Sequence, residues 1–362
     1  MSAPGRRIAV VGLGLIGGSV ALAARERLGA QVAGYDLRTD AGREALDRGA
    51  VDAVAESVAG AVSGAEAVFV AVPVGPLPDT VAEVLAAAGG ADCVVTDVGS
   101  TKRAVVAANP DPRFVGGHPL AGAETSGIEH ARSDLFEGAT WYLTPGRDTS
   151  GVLYERLHRL LRGIGARPAA IEAETHDAIL ASVSHLPHVL ANVLVAQAGR
   201  VLAAGDERLP ATGPSFRDAT RVAGSPSAVW TDIYLSNADA LIEAIGQTTD
   251  GLEAVSRALA AGDADWLSAW NDRAADDRRR LLEGQLAGAM LCQLRASVPN
   301  RPGVVAQLAL ELGRAGVNIV DMALYPAPDM SEGVIALWIS GEPPAERARE
   351  LIAGLGFPVT RA

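Results

Sequence analysis

Residues 6–36 read RRIAVVGLGLIGGSVALAARERLGAQVAGYD, and this stretch decides the fold. The apolar run Ile8 to Val11 has the character of a parallel strand buried on both faces. It runs into Gly12, Gly14 and Gly17 at GxGxxG spacing, and an alanine-rich helix follows, opened by Leu15 and Ile16. A second apolar stretch, Val32 to Tyr35, ends in Asp36. Each glycine has a mechanical reason. Gly12 allows the tight turn, Gly14 the close approach of a pyrophosphate to the backbone, and Gly17 the close packing of helix on strand. The helix N-terminus offers unpaired N–H groups to that anion, and a carboxylate at Asp36 can accept from the adenosine ribose hydroxyls. With strand, helix and acid all where the motif needs them, the stretch predicts a dinucleotide-binding βαβ unit of the Rossmann type.

Working outward, 362 residues are enough for two or three domains with their own cores. A net charge of −12 argues against nucleic acid or an anionic membrane as the main partner, so an anionic substrate needs a local basic pocket. Cys93 and Cys292, two isolated thiols, form neither a disulfide framework nor a metal spacing and suit a reducing compartment. Arg6-Arg7 before an apolar run imitates a secretory signal, but that run is the nucleotide fingerprint itself. No other stretch reads as long and apolar enough for a bilayer, and a cytoplasmic location is expected.

After Asp36, helical stretches alternate with short strands: Ala67 to Pro73, Cys93 to Ser100, Arg113 to Gly122 and Thr140 to Gly146. This alternation predicts a mostly parallel, doubly wound α/β sheet over residues 1–147. Ligands bind beyond the carboxyl ends of such strands, which places Pro73, Ser100 and His118 on the nicotinamide side. Residues 148–286 read as all-helical: Thr175 to Ala204, Ser227 to Ile245, Thr249 to Ala261 and Asp263 to Glu283. Residues 287–362 return to strands and helices in βαββαβ order, a small ferredoxin-like module.

Four constellations could carry chemistry. TDVGSTK sets Asp97, Ser100 and Lys102 at the mouth of a central strand. Ser100 there could simply cap a helix, but Lys102 is the chain's single lysine among many arginines, so a compact ammonium is wanted at that point, and Ser100 and Lys102 are both expected to face the cofactor. GGHPLAGAETSG presents His118 among small residues with Glu124 in the same loop, the setting of a catalytic imidazole. In HDAILASVSHLPH, helical spacing puts Asp177, Ala181, Ser184 and His188 on one face, with Pro187 kinking or ending the helix. His185 and His188 are a turn apart, yet no HExxH or carboxylate pairing supports a metal, and one wall of a polar pocket is the better reading. In GPSFRDATR, Asp218 can hold Arg221, and Arg217 lies one turn earlier, a clamp suited to a carboxylate.

Together GLGLIGGS, DVGSTK, GGHPLAGAETSG, His176-Asp177, SHLPH and FRDATR with its downstream tryptophan resemble the prephenate/arogenate dehydrogenase family of tyrosine biosynthesis. The tail, LRASVPNRPGVVAQLALELGRAGVNI, looks like an ACT domain. The resemblance implies NAD-dependent oxidative decarboxylation of prephenate to 4-hydroxyphenylpyruvate. It implies that His118 acts as base toward the ring hydroxyl, that Ser100 bonds to both, and that Arg221 holds a substrate carboxylate. Glu124, His176, Asp177 and His188 are implied to line the pocket, with Trp230 close to it; Arg217, from its spacing, is expected to bind substrate beside Arg221, and no metal is expected. A tyrosine effector is expected at Asn300, Gly303 and Asn318 of the tail, and a homodimer overall. Asp36 favours NAD by repelling a 2′-phosphate, although Arg38 could soften that exclusion toward NADP.

Three rivals stay in view. L-arogenate as substrate would need a carboxylate, Asp177 or Glu124, facing its amine. A 3-hydroxyacid or 6-phosphogluconate type of dehydrogenase would need a lysine on a helix of the second domain, where the chain has none. A dinucleotide and amino-acid sensor without turnover would not need His118, Ser100 and Arg221 together.

Overall fold

The structure is a computed structural model. It describes residues 6–90, 92–122, 125–203, 213–285, 291–299, 301, 304–317, 319–327 and 332–361. The chain forms two compact units, Met1–Thr249 and Asp250–Ala362.

The first unit is built on eight strands: β1 (Arg7–Val11), β2 (Gln31–Tyr35), β3 (Ala53–Val54), β4 (Ala67–Val70), β5 (Val94–Asp97), β6 (Phe114–Pro119), β7 (Thr140–Pro145) and β8 (Arg167–Ala170). Their order is β3-β2-β1-β4-β5-β6-β7-β8, with every neighbour parallel except β6 and β7. The central strands are buried on both faces, which is why they read as unbroken apolar runs rather than alternating ones. Leu13, Val20, Phe69, Trp141, Leu157 and Leu161 pack on one face, and Val11, Val68, Val81, Val84 and Phe114 on the other. The order reverses between β1 and β4, so a crevice opens beyond the carboxyl ends of those strands.

The strand β8 corrects one expectation. It lies where only helices were foreseen, and the helix Gly151–Gly163 before it packs on the sheet, so the sheet continues past residue 147 to Ala170. Four residues, Arg-Pro-Ala-Ala, are too short and too mixed to show a strand period.

The helical part follows with Ala173–Leu180, a π-helical segment Ala181–His185, Leu186–Ala203, Pro214–Thr220, Ser227–Ser236 and Ala238–Ala261. Pro187 neither ends the helix nor bends it to a stop. It has no N–H to give to the preceding turn, and the backbone absorbs the loss by widening: Leu186 N–H bonds to Ala181 O, five residues back. The expected helix from Ser227 to Ile245 is instead broken at Asn237, and no break occurs at Thr249. Ala173–Val201 is also long and apolar enough to cross a membrane, contrary to expectation. It buries His176, Asp177, His185 and His188 inside the unit, while only 28% of its most apolar window is buried.

The second unit holds the helix Ala264–Gln285 and a four-stranded antiparallel sheet: β9 (Leu291–Pro299), β10 (Ile319–Pro326), β11 (Glu332–Ser340) and β12 (Val359–Arg361), in the order β10-β11-β9-β12. The helices Val304–Arg314 and Glu342–Gly354 supply Leu308, Leu312, Ala348 and Ile352 to its core, against Leu294, Ile335, Leu337 and Ile339.

Candidate active site

The fingerprint loop has the geometry its glycines imply. Gly12 sits at φ 95°, and its N–H bonds to Tyr35 O at 2.8 Å. A Cβ on Gly17 would stand 1.9 Å from Gly12 O, so helix and turn can approach only without one. Gly14 caps the helix Leu15–Leu28 and faces open space, leaving its backbone accessible to a ligand phosphate, with Leu15 and Ile16 half-buried beside it. Asp36, at the end of β2, accepts from Leu13 N–H at 2.7 Å and from Arg38 N–H at 2.8 Å. The Arg38 guanidinium lies 3.9 Å from the same carboxylate and is exposed. Pro73 is exposed on the loop after β4, which is tied to the helical part by Gly75 N–H to Asp232 at 3.2 Å. These residues fit a dinucleotide: a bare helix N-terminus for phosphate, and a fixed carboxylate for a ribose.

On the neighbouring strands stands a buried polar cluster. His118, near the end of β6, is 8% exposed, and its Nδ1 lies 2.9 Å from Nε2 of His176. His176 Nδ1 is 2.8 Å from Asp177 Oδ1. Burial, then His176, Lys102 and His185 nearby, push the His118 pKa well below its ordinary value of 6.5, so the ring is neutral at neutral pH. Burial raises the Asp177 pKa, but hydrogen bonds from His176 and from the Arg103 and Lys102 backbone outweigh that, and it falls below the usual carboxylate value. His118 borders a cleft of about 340 Å³ with Leu120, Tyr142, Leu180, Val183 and Ser184.

Several expected site residues play other parts here. His176 and Asp177 are fully buried, so they stand behind His118 instead of lining the cleft. Lys102 is also fully buried, with its ammonium on Asp97, whose carboxylate further accepts from Gly99 and Gly117 N–H at 2.8 and 3.0 Å. Burial pulls the Lys102 pKa down while Asp97 holds it up. A cofactor-facing ammonium is therefore not what this lysine supplies. Ser100 is half-buried on the loop after β5, and the Nδ1 partner of His118 is His176, not Ser100. Nor does Ser100 cap the helix Arg103–Ala108. Asp177 does so from outside, accepting Lys102 N–H at 2.8 Å and Arg103 N–H at 2.9 Å.

His188 and Trp230 meet in a second cluster, stacked at 3.6 Å between ring centres and 4° apart. Tyr234 OH and Asn192 Nδ2 both reach His188 Nδ1, Asn192 at 3.3 Å. Arg217 and Arg221 are exposed on the helix Pro214–Thr220 and the turn Arg221–Gly224, and neither is among the residues that border the cleft. Glu124, Asn300, Gly303 and Asn318 lie outside the described residues. Among the described residues, no three of His, Cys, Asp or Glu are grouped to hold a metal.

Sequence reasoning passed over three residues. Tyr142 is the β-register partner of His118 and meets the His176 ring edge-on at 5.7 Å. Asn237 is fully buried and donates to Asp177 O at 2.8 Å. His185, seen only as a neighbour of His188, is buried against Asn237 at 3.2 Å. An asparagine inside an apolar helical run was the one available signal.

Residues 20–170 match the model of the prephenate dehydrogenase nucleotide-binding domain, and residues 172–271 that of the prephenate dehydrogenase dimerization domain. The chain is 32% identical over 354 residues to the prephenate dehydrogenase of Bacillus subtilis, covering 95% of each protein. Among solved structures, it is similar to a prephenate dehydrogenase of Aquifex aeolicus in complex with hydroxyphenyl propionate and NAD+. The TM-score is 0.71 at 29% identity, over 78% of this chain and 100% of that one. A Synechocystis arogenate dehydrogenase matches at TM-score 0.67 and 27% identity, over 76% and 99% of the two chains.

Proposed function

Because the chain belongs to the prephenate dehydrogenase family, we propose that it oxidises and decarboxylates prephenate with NAD+, giving 4-hydroxyphenylpyruvate. The observation that carries this reading is His118: a neutral, buried imidazole bordering a cleft on the same sheet as the dinucleotide loop. Gly12, Gly14, Gly17 and Asp36 would hold the cofactor, and bound NAD+ supplies the acceptor for the hydride leaving C4 of the substrate. His118 takes the C4 hydroxyl proton as that hydride departs. The C1 carboxylate leaves as CO2, its electron pair completes the aromatic ring, and the proton returns to the ring oxygen. Aromatisation drives the step, so the protein must chiefly orient the substrate and exclude competing geometry. Arg221, with Arg217 a turn away, is proposed to hold a substrate carboxylate, and Ser100 to bond the hydroxyl. His188 and Trp230 would form the wall near the substrate side chain.

Of the two carboxylates that could meet the amine of arogenate, Glu124 lies outside the described residues and Asp177 is already taken up. Asp177 has both oxygens engaged by His176, Lys102 and Arg103. We place the nucleotide-binding domain through Ala170 and the helical domain from there to about residue 286, and read residues 287–362 as an ACT-like regulatory module. The strand order β10-β11-β9-β12 with two helices supports a ferredoxin-like module, and tyrosine, the end product of the pathway, is proposed as its effector. The helical domain is proposed to form a homodimer, since Val193, Leu194, Val195 and Val201 are exposed on one helix. A cytoplasmic site of action follows from this biosynthetic role. The test is NADH formation by purified protein with prephenate and with L-arogenate, under NAD+ and then NADP+. Turnover with prephenate and NAD+ is expected. Silence with both substrates would overturn the assignment and leave a sensor.

A further inference from the structure

With both rings neutral, the hydrogen bonds behind His118 allow only one order of donors. Asp177 Oδ1 can only accept, so His176 Nδ1 carries the proton of their 2.8 Å bond. In neutral His176 the other nitrogen, Nε2, is then an acceptor, and His118 Nδ1 must donate to it across 2.9 Å. The His118 lone pair is left on Nε2. Tyr142 holds the His176 ring edge-on, with an 88° angle between the planes, and both His176 and Asp177 are sealed from solvent. Asp177 also accepts Lys102 N–H and Arg103 N–H and lies 3.5 Å from Arg103 Nε, so the loop that follows β5 ends on the same carboxylate.

We propose that His176 and Asp177 are positioning residues that fix His118 as the Nδ1–H tautomer, presenting Nε2 as the proton acceptor, and that Asp177 ties this base to the Val98–Thr101 loop at the cofactor edge. The proposal rests on the dehydrogenase reading above. It adds two buried residues that never touch substrate but decide which nitrogen of the base is bare. Replacing Asp177 by leucine removes the acceptor of His176 Nδ1–H. His176 is then free to carry its proton on Nε2, and His118 Nε2 becomes a donor.

The test compares kcat and KM of the full chain with H176L, H176Q and D177L, using prephenate and NAD+. Glutamine can set its amide oxygen where His176 Nε2 stands, whereas leucine offers no acceptor. H176L and D177L are expected to lower kcat about 10²-fold or more with KM for both ligands little changed, and H176Q to recover most of the loss. A kcat within about threefold of the parent for H176L, or equal losses for leucine and glutamine, would overturn the proposal. Should H176L fail to fold, H176Q against H176N decides in its place. Asparagine is one methylene too short to reach His118, so equal kcat values for these two would also overturn it. Failure of the dehydrogenase reading is separate, since it would show as no turnover by the parent.

Discussion

Acid should destabilise this protein before any carboxylate is titrated, and His185 is the group that lets the effect be measured. Its Nδ1 faces the Asn237 amide nitrogen at 3.2 Å and must accept there, so the neutral ring carries its proton on Nε2. That Nε2 is buried and without a hydrogen-bond partner among the described residues. A second proton would set N–H against N–H at Asn237 and leave a charge out of reach of water. Burial therefore lowers the His185 pKa from 6.5 to about 4; the Asp177 carboxylate opposes the shift and His176 adds to it. The unfolded chain binds this proton near pH 6.5 and the folded one only near 4, so the stability from the neutral ring is whole above 6.5 and is lost as pH falls toward 4. At pH 5 the loss is about 2 kcal/mol from this ring alone, or about 4–8 °C in Tm for a unit of this size. H185N keeps an acceptor for Asn237 but cannot titrate. Thermal melts at pH 7.5 and pH 5 should show the parent losing about 2 kcal/mol more than H185N between the two conditions. The cost of removing the ring is constant with pH and cancels in that difference. Equal losses for parent and variant would refute the reasoning. Burial lowers the His118 pKa as well, which adds to the fall in both proteins and leaves the comparison intact.

Four further outcomes are expected. K102M strands the Asp97 carboxylate in the core and should cost about 3–5 kcal/mol in chemical denaturation, with D97N/K102M recovering most of it. Asp36→Asn removes the charge that repels a 2′-phosphate and should raise the NADP+ to NAD+ ratio of kcat/KM by about tenfold. His118→Asn should lower kcat by about 10²–10⁴, the range for loss of a general base, in single-turnover measurements. Arg221→Gln should raise the prephenate KM with kcat largely kept, as expected when binding shared by ground and transition states is lost.

The dinucleotide loop was legible because its information is local: Gly12, Gly17 and Asp36 each answer a contact within one βαβ unit. The central strands were legible because burial on both faces leaves an unbroken apolar run. The strand β8 was not, since Arg-Pro-Ala-Ala carries no such run and is placed only by pairing with β7. In the helix from Ala173, counting by 3.6 put Asp177 and Ser184 on one face. The π-helical turn inserts an extra residue, and the buried positions become His176, Asp177, Ala181, His185 and His188. His118 could be picked out by its small neighbours, but its partner lies 58 residues away, and no spacing rule joins them. The lone lysine was rightly noticed and wrongly aimed: a compact ammonium was wanted for a buried aspartate, not for a ligand.

That same economy leaves the folded surface without side-chain amines. Lys102 is the one lysine in 362 residues, and it is sealed inside the protein. Acylating reagents, amine cross-linkers and lysine-modifying enzymes find no side chain to attack while the chain stays folded. Cys93 and Cys292 are buried too, so thiol chemistry meets the same barrier. Acylation at Lys102 is thus a single-site clock, its rate set by how often the nucleotide-binding core opens.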